Sequence, residues 1–337
     1  MTKLSKTYNF FIRFTILALT FYFLYRQLFF KHDLASFLQN TEKVTQNKHF
    51  LSLLLLTLFL MPVNLLIESR KWQFLMQKLE TISLSGAFKA VLAGISVSVF
   101  LPNRIGDYLG RVFVLKKADR LQATLATILG SMAQLLTTLV FGIIGLIFFL
   151  PQWINTQTSP GQWMLAGLIF SLLFVMILLI FAFLNFSVFS ALLKQLSGRA
   201  YQKIARYAEV FSWYHFRELL WVWILSMLRY LVFSLQFYLF LRLFRVPVNY
   251  PDAMLIISLI YLFMSIIPTI ALSEIGVRGS VSLYVFELYW GTPMNEILKS
   301  HIVAASSALW LLNLVIPALI GLLFIFKLRF FRNNKTS

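Results

Sequence analysis

Two short segments of the chain place an acid four residues before an arginine. The first segment contains Asp107 and Arg111, and the second contains Glu274 and Arg278. Positions i and i+4 share one face of a helix, so each acid can form an ion pair with its arginine. An arginine that a carboxylate holds in place presents planar donors that suit a lipid phosphate. The alternative is a helix-end ion pair at the membrane surface with a purely structural role.

The backbone near both pairs is interrupted in the same manner, because a proline precedes each pair and glycines surround it. These residues are Pro102, Gly106, Gly110, Pro268, Gly276 and Gly279. Glycine allows close backbone approach and unusual dihedral angles. The two prolines lie 166 residues apart in a chain of 337. Interruptions at matching places in two halves indicate a transporter's binding site, so we predict repeat halves at about 1–160 and 161–330.

A further arginine, Arg229, lies near the middle of an apolar run. A charge at that depth costs at least about 2.5 kcal/mol unless it faces protein or water. Arg229 is therefore a candidate for the transport pathway, and the alternative is an internal ion pair with Glu274 or Asp107. Asn64 falls near the position equivalent to Arg229 in the other half. The predicted substrate-binding residues are Arg104, Asp107, Arg111, Arg229, Glu274 and Arg278.

The elements that position these residues are those of a polytopic membrane protein. The chain is 59% hydrophobic and only 12% charged, and a soluble domain cannot cover so much apolar surface. A spanning helix needs about 20 apolar residues. Candidate spans lie at about 10–30, 50–68, 121–150, 162–189, 219–244 and 299–326. The first is expected to be a retained helix, because it lacks the small-residue cleavage site of a signal peptide.

The loops decide how two further apolar segments, at about 84–101 and 251–272, are arranged. Cytoplasmic loops of membrane proteins carry an excess of Lys and Arg. The loops 69–83, 103–120 and 190–217 are basic, as is the C-terminal tail, whereas Pro151 to Gly161 contains no Lys or Arg. Eight full spanning helices would place basic loops on both sides of the membrane, so charge favours two segments that enter and leave on one face.

We therefore predict one all-α integral membrane domain over residues 1–337, with both termini cytoplasmic. It has about six spanning helices and two re-entrant hairpins, at about 84–111 and 251–290, in an inverted 4+4 repeat. Eight full spanning helices are the alternative. Non-helical backbone at membrane depth must be buried in protein or line a wet cavity. The two hairpin tips, which enter from opposite faces, should meet around a polar space.

Other function classes find no support in the residues. The net charge of +18 comes from residues at the ends of apolar runs, where they set topology and meet lipid headgroups, so we expect no nucleic-acid partner. The chain has no cysteine, and its four histidines lack metal-ligand spacing. There is no P-loop, nucleophile elbow or dinucleotide glycine pattern. We expect no metal, no cofactor and no enzymatic activity.

At these motifs the chain resembles the lysylphosphatidylglycerol synthase transmembrane region, a family of flippase-like membrane proteins. The family's Pro-x-Arg-x-Gly-acid-x-x-Arg element corresponds to Pro102, Arg104, Gly106, Asp107 and Arg111, with aspartate in place of the usual glutamate and the last arginine one residue late. The second family element is a Pro-Gly-Gly-x-Gly-x-x-Glu turn. The segment from Pro268 through Glu274 departs from it.

The resemblance implies a lipid translocase that lacks the family's soluble aminoacyl-transferase domain. The expected partners are membrane lipids, an anionic phospholipid or glycolipid, in a bacterial inner membrane. A homodimer and a separate cytosolic synthase are further candidate partners. One rival interpretation is a membrane enzyme or enzyme subunit that acts on polyprenyl or glycolipid substrates. Another is a scaffold that recruits a soluble synthase through the basic loop 190–217.

Overall fold

A computed structural model describes residues 50–99, 105–154, 157–186, 209–268 and 271–325. All regular secondary structure in these ranges is helical, which confirms the predicted all-α fold. The helices are α1 (Phe50–Met76), α2 (Leu84–Ser98), α3 (Ile105–Val112), α4 (Arg120–Trp153), α5 (Ser159–Leu184), α6 (Phe216–Leu243), α7 (Tyr250–Ile266), α8 (Ala271–Trp290), α9 (Glu296–Trp310) and α10 (Ile316–Ile325). A 3-10 turn at Glu209–Trp213 precedes α6, and a π-helical turn at Leu311–Val315 joins α9 to α10.

Five stretches of helix in these ranges are long and apolar enough to cross a membrane. They are α1, α4, α5, α6 and the continuous stretch Glu296–Phe324. Each exceeds the roughly 20 residues that a hydrocarbon core requires. They match five of the six predicted spans, and the sixth, at about 10–30, lies outside the described residues. The chain is therefore an all-α polytopic membrane protein.

Helix α1 is longer than the span predicted at 50–68. It continues to Met76, so Lys71 belongs to the helix and not to the predicted loop 69–83. The Lys71 side chain is buried, and its ammonium lies 2.9 Å from the carboxylate of Glu68 one turn earlier. Because this ion pair compensates the lysine's charge, the helix can continue through a position that charge alone assigns to a loop.

Polar side chains determine where several of the helices begin. Ser83, Asp119, Asn249 and Asn295 occupy the N-cap positions of α2, α4, α7 and α9, and each accepts a hydrogen bond from a backbone N–H of the first turn. Such caps satisfy N–H groups that have no partner within the helix. Two of these caps, on α2 and α7, fix the start of the two short apolar helices.

The first hairpin, α2 with α3, enters and leaves the molecule on one face. Glu80, in the loop before α2, accepts hydrogen bonds from the backbone N–H groups of Lys116, Lys117 and Ala118, in the loop after α3, at 2.7–3.1 Å. Loops on opposite sides of a hydrocarbon core about 30 Å thick could not make these contacts. These contacts agree with the predicted hairpin and not with the alternative of eight full spanning helices.

The second hairpin, α7 with α8, also returns to the face from which it starts. Asp252 lies in the first turn of α7, and its carboxylate accepts a hydrogen bond of 2.6 Å from the hydroxyl of Tyr289 at the end of α8. The start and the end of this hairpin are therefore neighbours.

The two hairpins open on opposite faces of the molecule. An ion pair of 2.7 Å between Lys78 and Glu218 places the loop before α2 beside the start of α6, and α6 then crosses to the second hairpin. Helix α4 begins beside the loop after α3, and at its other end Phe149 packs against Tyr289 with ring centroids 6.0 Å apart. This arrangement is the one that the charge distribution of the loops predicts.

Helices α1 and α6 run antiparallel and are joined near both ends. The Tyr214 hydroxyl, just before α6, donates to the carbonyl of Leu75 at 2.7 Å, and the amide of Gln236 donates to the carbonyl of Thr57 at 3.1 Å. Burial, together with the nearby Glu218 carboxylate, raises the pKa of Tyr214, so this hydroxyl stays a donor at physiological pH. The face between these two contacts is where the polar residues of both helices meet.

The first helix of each hairpin packs against the closing helix of the other half. Helix α2 contacts α10, where Gly321 lies against the Leu92 carbonyl, and α7 contacts α4, where Gly145 lies against Ser258. A two-fold repeat would produce such reciprocal packing, and the equivalence of the two halves remains a prediction. Helix α5 lies at the periphery, and Phe183 is its single buried residue, as is typical of a lipid-facing helix.

Candidate functional site

A buried carboxylate on α1 is the centre of a network of charges. Glu68 is 5% exposed. It lies 2.6 Å from Nη1 of Arg111 on α3, 2.9 Å from Nζ of Lys71 on its own helix, and 3.4 Å from Nη1 of Arg229 on α6. Three cations from three helices therefore share one carboxylate. A buried charge requires such compensation, because removal from water is costly.

Asp107 and Arg111 form the ion pair that their spacing predicts. The carboxylate of Asp107 accepts two hydrogen bonds, of 2.7 Å from Nε and 2.5 Å from Nη2 of Arg111. The remaining nitrogen, Nη1, donates to Glu68. All three guanidinium nitrogens are thus engaged by carboxylates within the protein, and the side chain is buried.

Glu274 and Arg278 also form the predicted pair, but with a different outcome for the arginine. Nη2 of Arg278 donates to Glu274 at 2.9 Å, and both residues are buried. Nε and Nη1 of Arg278 are buried and make no hydrogen bond to any residue that the structure describes. Buried donors of this kind call for an explanation, since nearly all buried polar groups in proteins are hydrogen-bonded. The two copies of the motif therefore differ in the donors that they leave available.

Arg229 joins α6 to two other helices. Its Nε donates to the side-chain oxygen of Asn64 on α1 at 2.9 Å, and its Nη1 donates to that of Gln134 on α4 at 3.3 Å. The carboxylate that Arg229 contacts is that of Glu68. The ion pair of Arg229 with Glu274 or Asp107 that the sequence suggested is therefore wrong. Asn64 and Arg229, predicted to occupy similar positions in the two halves, contact each other directly.

Two cavities adjoin at these side chains. One has a volume of about 250 Å³ and contains the Glu68 network, Asp107 and Asn313 on its walls. The other, of about 530 Å³, lies under the second hairpin and is lined in part by Glu274, Tyr261 and Pro268. Five residues line both cavities, namely Gln134, Thr138, Arg229, Phe233 and Arg278. Arg229 and Arg278 thus face both volumes at the boundary between them.

The charges on these walls do not balance. The described lining residues of the two cavities include four cations, Lys71, Arg111, Arg229 and Arg278, and three carboxylates, Glu68, Asp107 and Glu274. With all seven ionised, these described side chains carry one positive charge in excess. A protein cavity with this excess attracts an anion.

The predicted glycines differ between the two hairpins. A Cβ at Gly110 would lie 2.6 Å from the Cα of Gly94, and a Cβ at Gly106 would overlap the Val97 carbonyl oxygen, so both are sites of close approach between α3 and α2. Gly276 is different, because no described residue lies within 4 Å of a Cβ placed there. Gly279 makes only ordinary contact with Val303. Among the described residues, the close approach that glycine allows is therefore seen at the first pair of glycines and not at the second.

The remaining predicted residues fall in different places. Pro268 is exposed and lines the larger cavity. Pro102 and Arg104 lie outside the described residues. The predicted substrate-binding roles of the other five charged residues, Asp107, Arg111, Arg229, Glu274 and Arg278, stay predictions, and the structure brings all five to the walls of the two cavities.

The sequence contains a signal for the residues that its motifs do not reveal. Asn64, Glu68 and Lys71 recur at helical spacing, which places them on one face of α1. Polar residues at membrane depth face the bundle interior. Because the span was predicted to end at residue 68, this face could not be recognised as continuous. Gln134 has a weaker signal, because it is one of three glutamines of α4 and its neighbours in the sequence are apolar and hydroxyl residues.

Among known proteins, one family matches most of the chain. A family model described as "Lysylphosphatidylglycerol synthase TM region" matches residues 10–321. The match includes both hairpins, all of the cavity-lining residues and the predicted span at 10–30. No curated protein and no solved structure matches the chain.

Proposed function

The chain belongs to the lysylphosphatidylglycerol synthase TM region family, and on that premise we propose that it is a lipid translocase. The polar headgroup of a membrane lipid would cross between the two hairpins through the adjoining cavities, while the acyl chains remain in the bilayer. The observation that carries this proposal is the shared wall, because Arg229 and Arg278 line both cavities.

The larger cavity combines a polar wall with an apolar rim, as the binding site of a lipid requires. Its inner wall is polar and includes Arg229, Glu274 and Arg278, whereas its rim includes the exposed apolar side chains of Ile266 and Ile267 at the end of α7. A headgroup can contact the charged wall while its acyl chains lie against the rim. Polar groups within a membrane segment commonly mark a substrate pathway, which supports transport as the role of this site.

A leaflet-resolved assay in proteoliposomes tests the proposal. A fluorescent anionic phospholipid, labelled on an acyl chain so that the headgroup stays intact, is reconstituted with the full chain, and the outer label is quenched chemically. The wild type should move the lipid faster than empty vesicles do. Arg229→Gln should lower this rate about tenfold or more, because hydrogen bonds from a charged group contribute about 1.5–3 kcal/mol.

Arg242→Gln supplies the matched control, since Arg242 is an exposed arginine on the same helix as Arg229. Its translocation rate should equal that of the wild type. Transfer by the wild type that is no faster than in empty vesicles would refute the proposal. Chemical conversion of the lipid by the purified protein alone would instead favour the membrane-enzyme interpretation.

A further inference from the structure

We infer that movement through this site is coupled to protons, and that Lys71 is the side chain that takes up and releases the proton. This inference rests on the proposed function, because it names what drives movement through the same site. The Lys71 ammonium is buried and contacts the same carboxylate as Arg229 does.

Lys71 lies in a buried but polar position on α1. Its side chain is 3% exposed, and it lines the cavity of about 250 Å³. Its Nζ lies 2.9 Å from the Glu68 carboxylate and donates a long hydrogen bond of 3.4 Å to the Ser226 hydroxyl on α6. An ammonium has three donors, and the third has no partner among the described residues. The polar cavity is large enough for water, through which a proton could reach or leave Lys71.

The ion pair with Glu68 does not by itself account for a lysine at this position. Nη1 of Arg111 lies 2.6 Å from Oε1 of Glu68, and Nη1 of Arg229 lies 3.4 Å from Oε2. Glu68 is therefore compensated without Lys71, and burial of a further cation is costly. Ionisable residues at membrane depth form the proton relays of transporters, and such a role accounts for the additional cation.

Lys71 is the member of this network that can change its charge. Arginine stays protonated at physiological pH, whereas a lysine ammonium can release its proton. A carboxylate in contact with a guanidinium stays ionised, as Glu68 and Asp107 both are with Arg111. The described residues of α2, α4, α9 and the π-helical turn that line this cavity are uncharged. The charged or titratable side chains that share the cavity with Lys71 are Glu68, Asp107, Tyr108, Arg111, Arg229 and Arg278.

A shared oxygen atom links the proton on Lys71 to the position of Arg229. Nζ of Lys71 and Nη1 of Arg229 both contact Oε2 of Glu68, at 2.9 and 3.4 Å. While Lys71 is protonated, it is the nearer cation and the guanidinium is held loosely. After release of the proton, Arg229 is the described cation left at this oxygen and is drawn toward it. Because Arg229 lines both cavities, the proton on Lys71 controls the guanidinium at their boundary.

A pH gradient across proteoliposomes tests this coupling. The full chain is reconstituted with phosphatidylglycerol labelled on an acyl chain, and valinomycin with equal potassium on both sides prevents a voltage. If one proton moves per lipid, a gradient of about one pH unit can shift the leaflet ratio up to about tenfold. The reversed gradient should reverse the shift, and empty vesicles should show none. Both orientations of the protein respond to the gradient in the same direction, so random insertion does not cancel the effect.

Lys71→Arg is the decisive variant, because it keeps the positive charge but does not release a proton. It should still exchange labelled lipid between leaflets without a gradient, and it should no longer respond to one. Lys116→Arg is the matched control, since Lys116 is an exposed lysine in the loop after α3, and it should respond as the wild type does. A wild-type response in folded Lys71→Arg would overturn the role of Lys71.

Lys71→Met serves if Lys71→Arg does not fold, because methionine is uncharged and also unbranched. This variant should likewise lose the response to the gradient, and a retained response would overturn the role of Lys71. Loss of lipid exchange in both variants would mark a purely structural lysine and would also overturn this role.

The proton on Lys71 can also be followed without any lipid transfer. A neutral amine reacts with acetic anhydride and an ammonium does not, so brief labelling of the detergent-purified full chain, read by mass spectrometry, follows each lysine. Labelling of Lys71 should rise as the pH is raised through the neutral range, about 6 to 8. A Lys71 that stays unlabelled while Lys116 becomes labelled would overturn the inference.

The outcomes separate this inference from the proposed function. Labelling of Lys71 without any leaflet transfer would refute the translocase and leave Lys71 as a residue that exchanges its proton. Leaflet transfer by the wild type that does not respond to the pH gradient would refute the proton coupling and leave the translocase intact.

Discussion

Glu68 compensates more cations than either of the other two carboxylates of the site. Asp107 and Glu274 each pair with the arginine one helical turn later, whereas Glu68 compensates Lys71, Arg111 and Arg229. Its loss would leave three cations close together with one fewer carboxylate. Repulsion between like charges is strong where water cannot screen it.

Glu68→Gln should therefore be strongly destabilising. Removal of one partner from a buried ion pair typically costs about 3–5 kcal/mol, and we expect a loss of at least this size. The apparent melting temperature of the detergent-purified protein, followed by size-exclusion fluorescence, measures the effect. Glu296→Gln is the control, because the Glu296 side chain is 89% exposed and surface ion pairs contribute about 0–1 kcal/mol. Equal melting temperatures for the two variants would show that Glu68 does not hold the network together.

The elements of this fold could be predicted where the determining information is local. The pairs Asp107–Arg111 and Glu274–Arg278 follow from helical spacing alone, and both form in the structure. The hairpins follow from the charges of their flanking loops. Each of these predictions uses residues that are near one another in the chain.

The tertiary contacts could not be predicted in this way. The ion pair of Glu68 with Arg111 joins positions 43 residues apart, and no local pattern relates them. The same contact makes the two copies of the motif unequal, because Arg278 pairs with Glu274 alone among the described carboxylates. Similar sequence segments therefore acquire different chemistry from their neighbours on other helices.

The glycines give a prediction at the scale of the hairpins. Gly110 touches Gly94 where α3 crosses α2, and a Cβ there would lie 2.6 Å from a backbone atom. Gly110→Ala should therefore force the two helices apart and cost about 1–3 kcal/mol, the usual cost of overpacking. The melting temperature should fall, and so should the yield of monodisperse protein.

Gly276→Ala is the matched control in the other hairpin. The added methyl group meets no atom of the described ranges within 4 Å, and alanine is more favourable than glycine within a helix by about 0.5–1 kcal/mol. This variant should be as stable as the wild type or slightly more stable. A melting temperature for Gly110→Ala that matches or exceeds that of Gly276→Ala would contradict the close packing of the first hairpin.

At the scale of the whole molecule, the two hairpins open on opposite faces, and the residues of the candidate site lie between them. The face of the first hairpin includes Lys78, Lys116 and Lys117, all exposed or partly exposed. An excess of lysine and arginine marks cytoplasmic loops, so we expect this face to be cytoplasmic and the face of the second hairpin to be external. The proposed translocation would need access to the site from both sides, as alternating access requires.

Cysteine accessibility tests this topology directly, because the chain contains no cysteine of its own. Four exposed positions are replaced one at a time by cysteine, as Gln77→Cys, Lys117→Cys, Gln157→Cys and Thr292→Cys. A membrane-impermeant maleimide applied to intact cells should label the last two and spare the first two, which should become labelled only after permeabilisation. The cysteine-free parent controls for background. Labelling of Gln77→Cys and Lys117→Cys from opposite sides would mean that the first hairpin crosses the membrane. Labelling of Thr292→Cys from the side of Gln77→Cys would mean that both hairpins open on one face, and a headgroup could then not pass from one to the other.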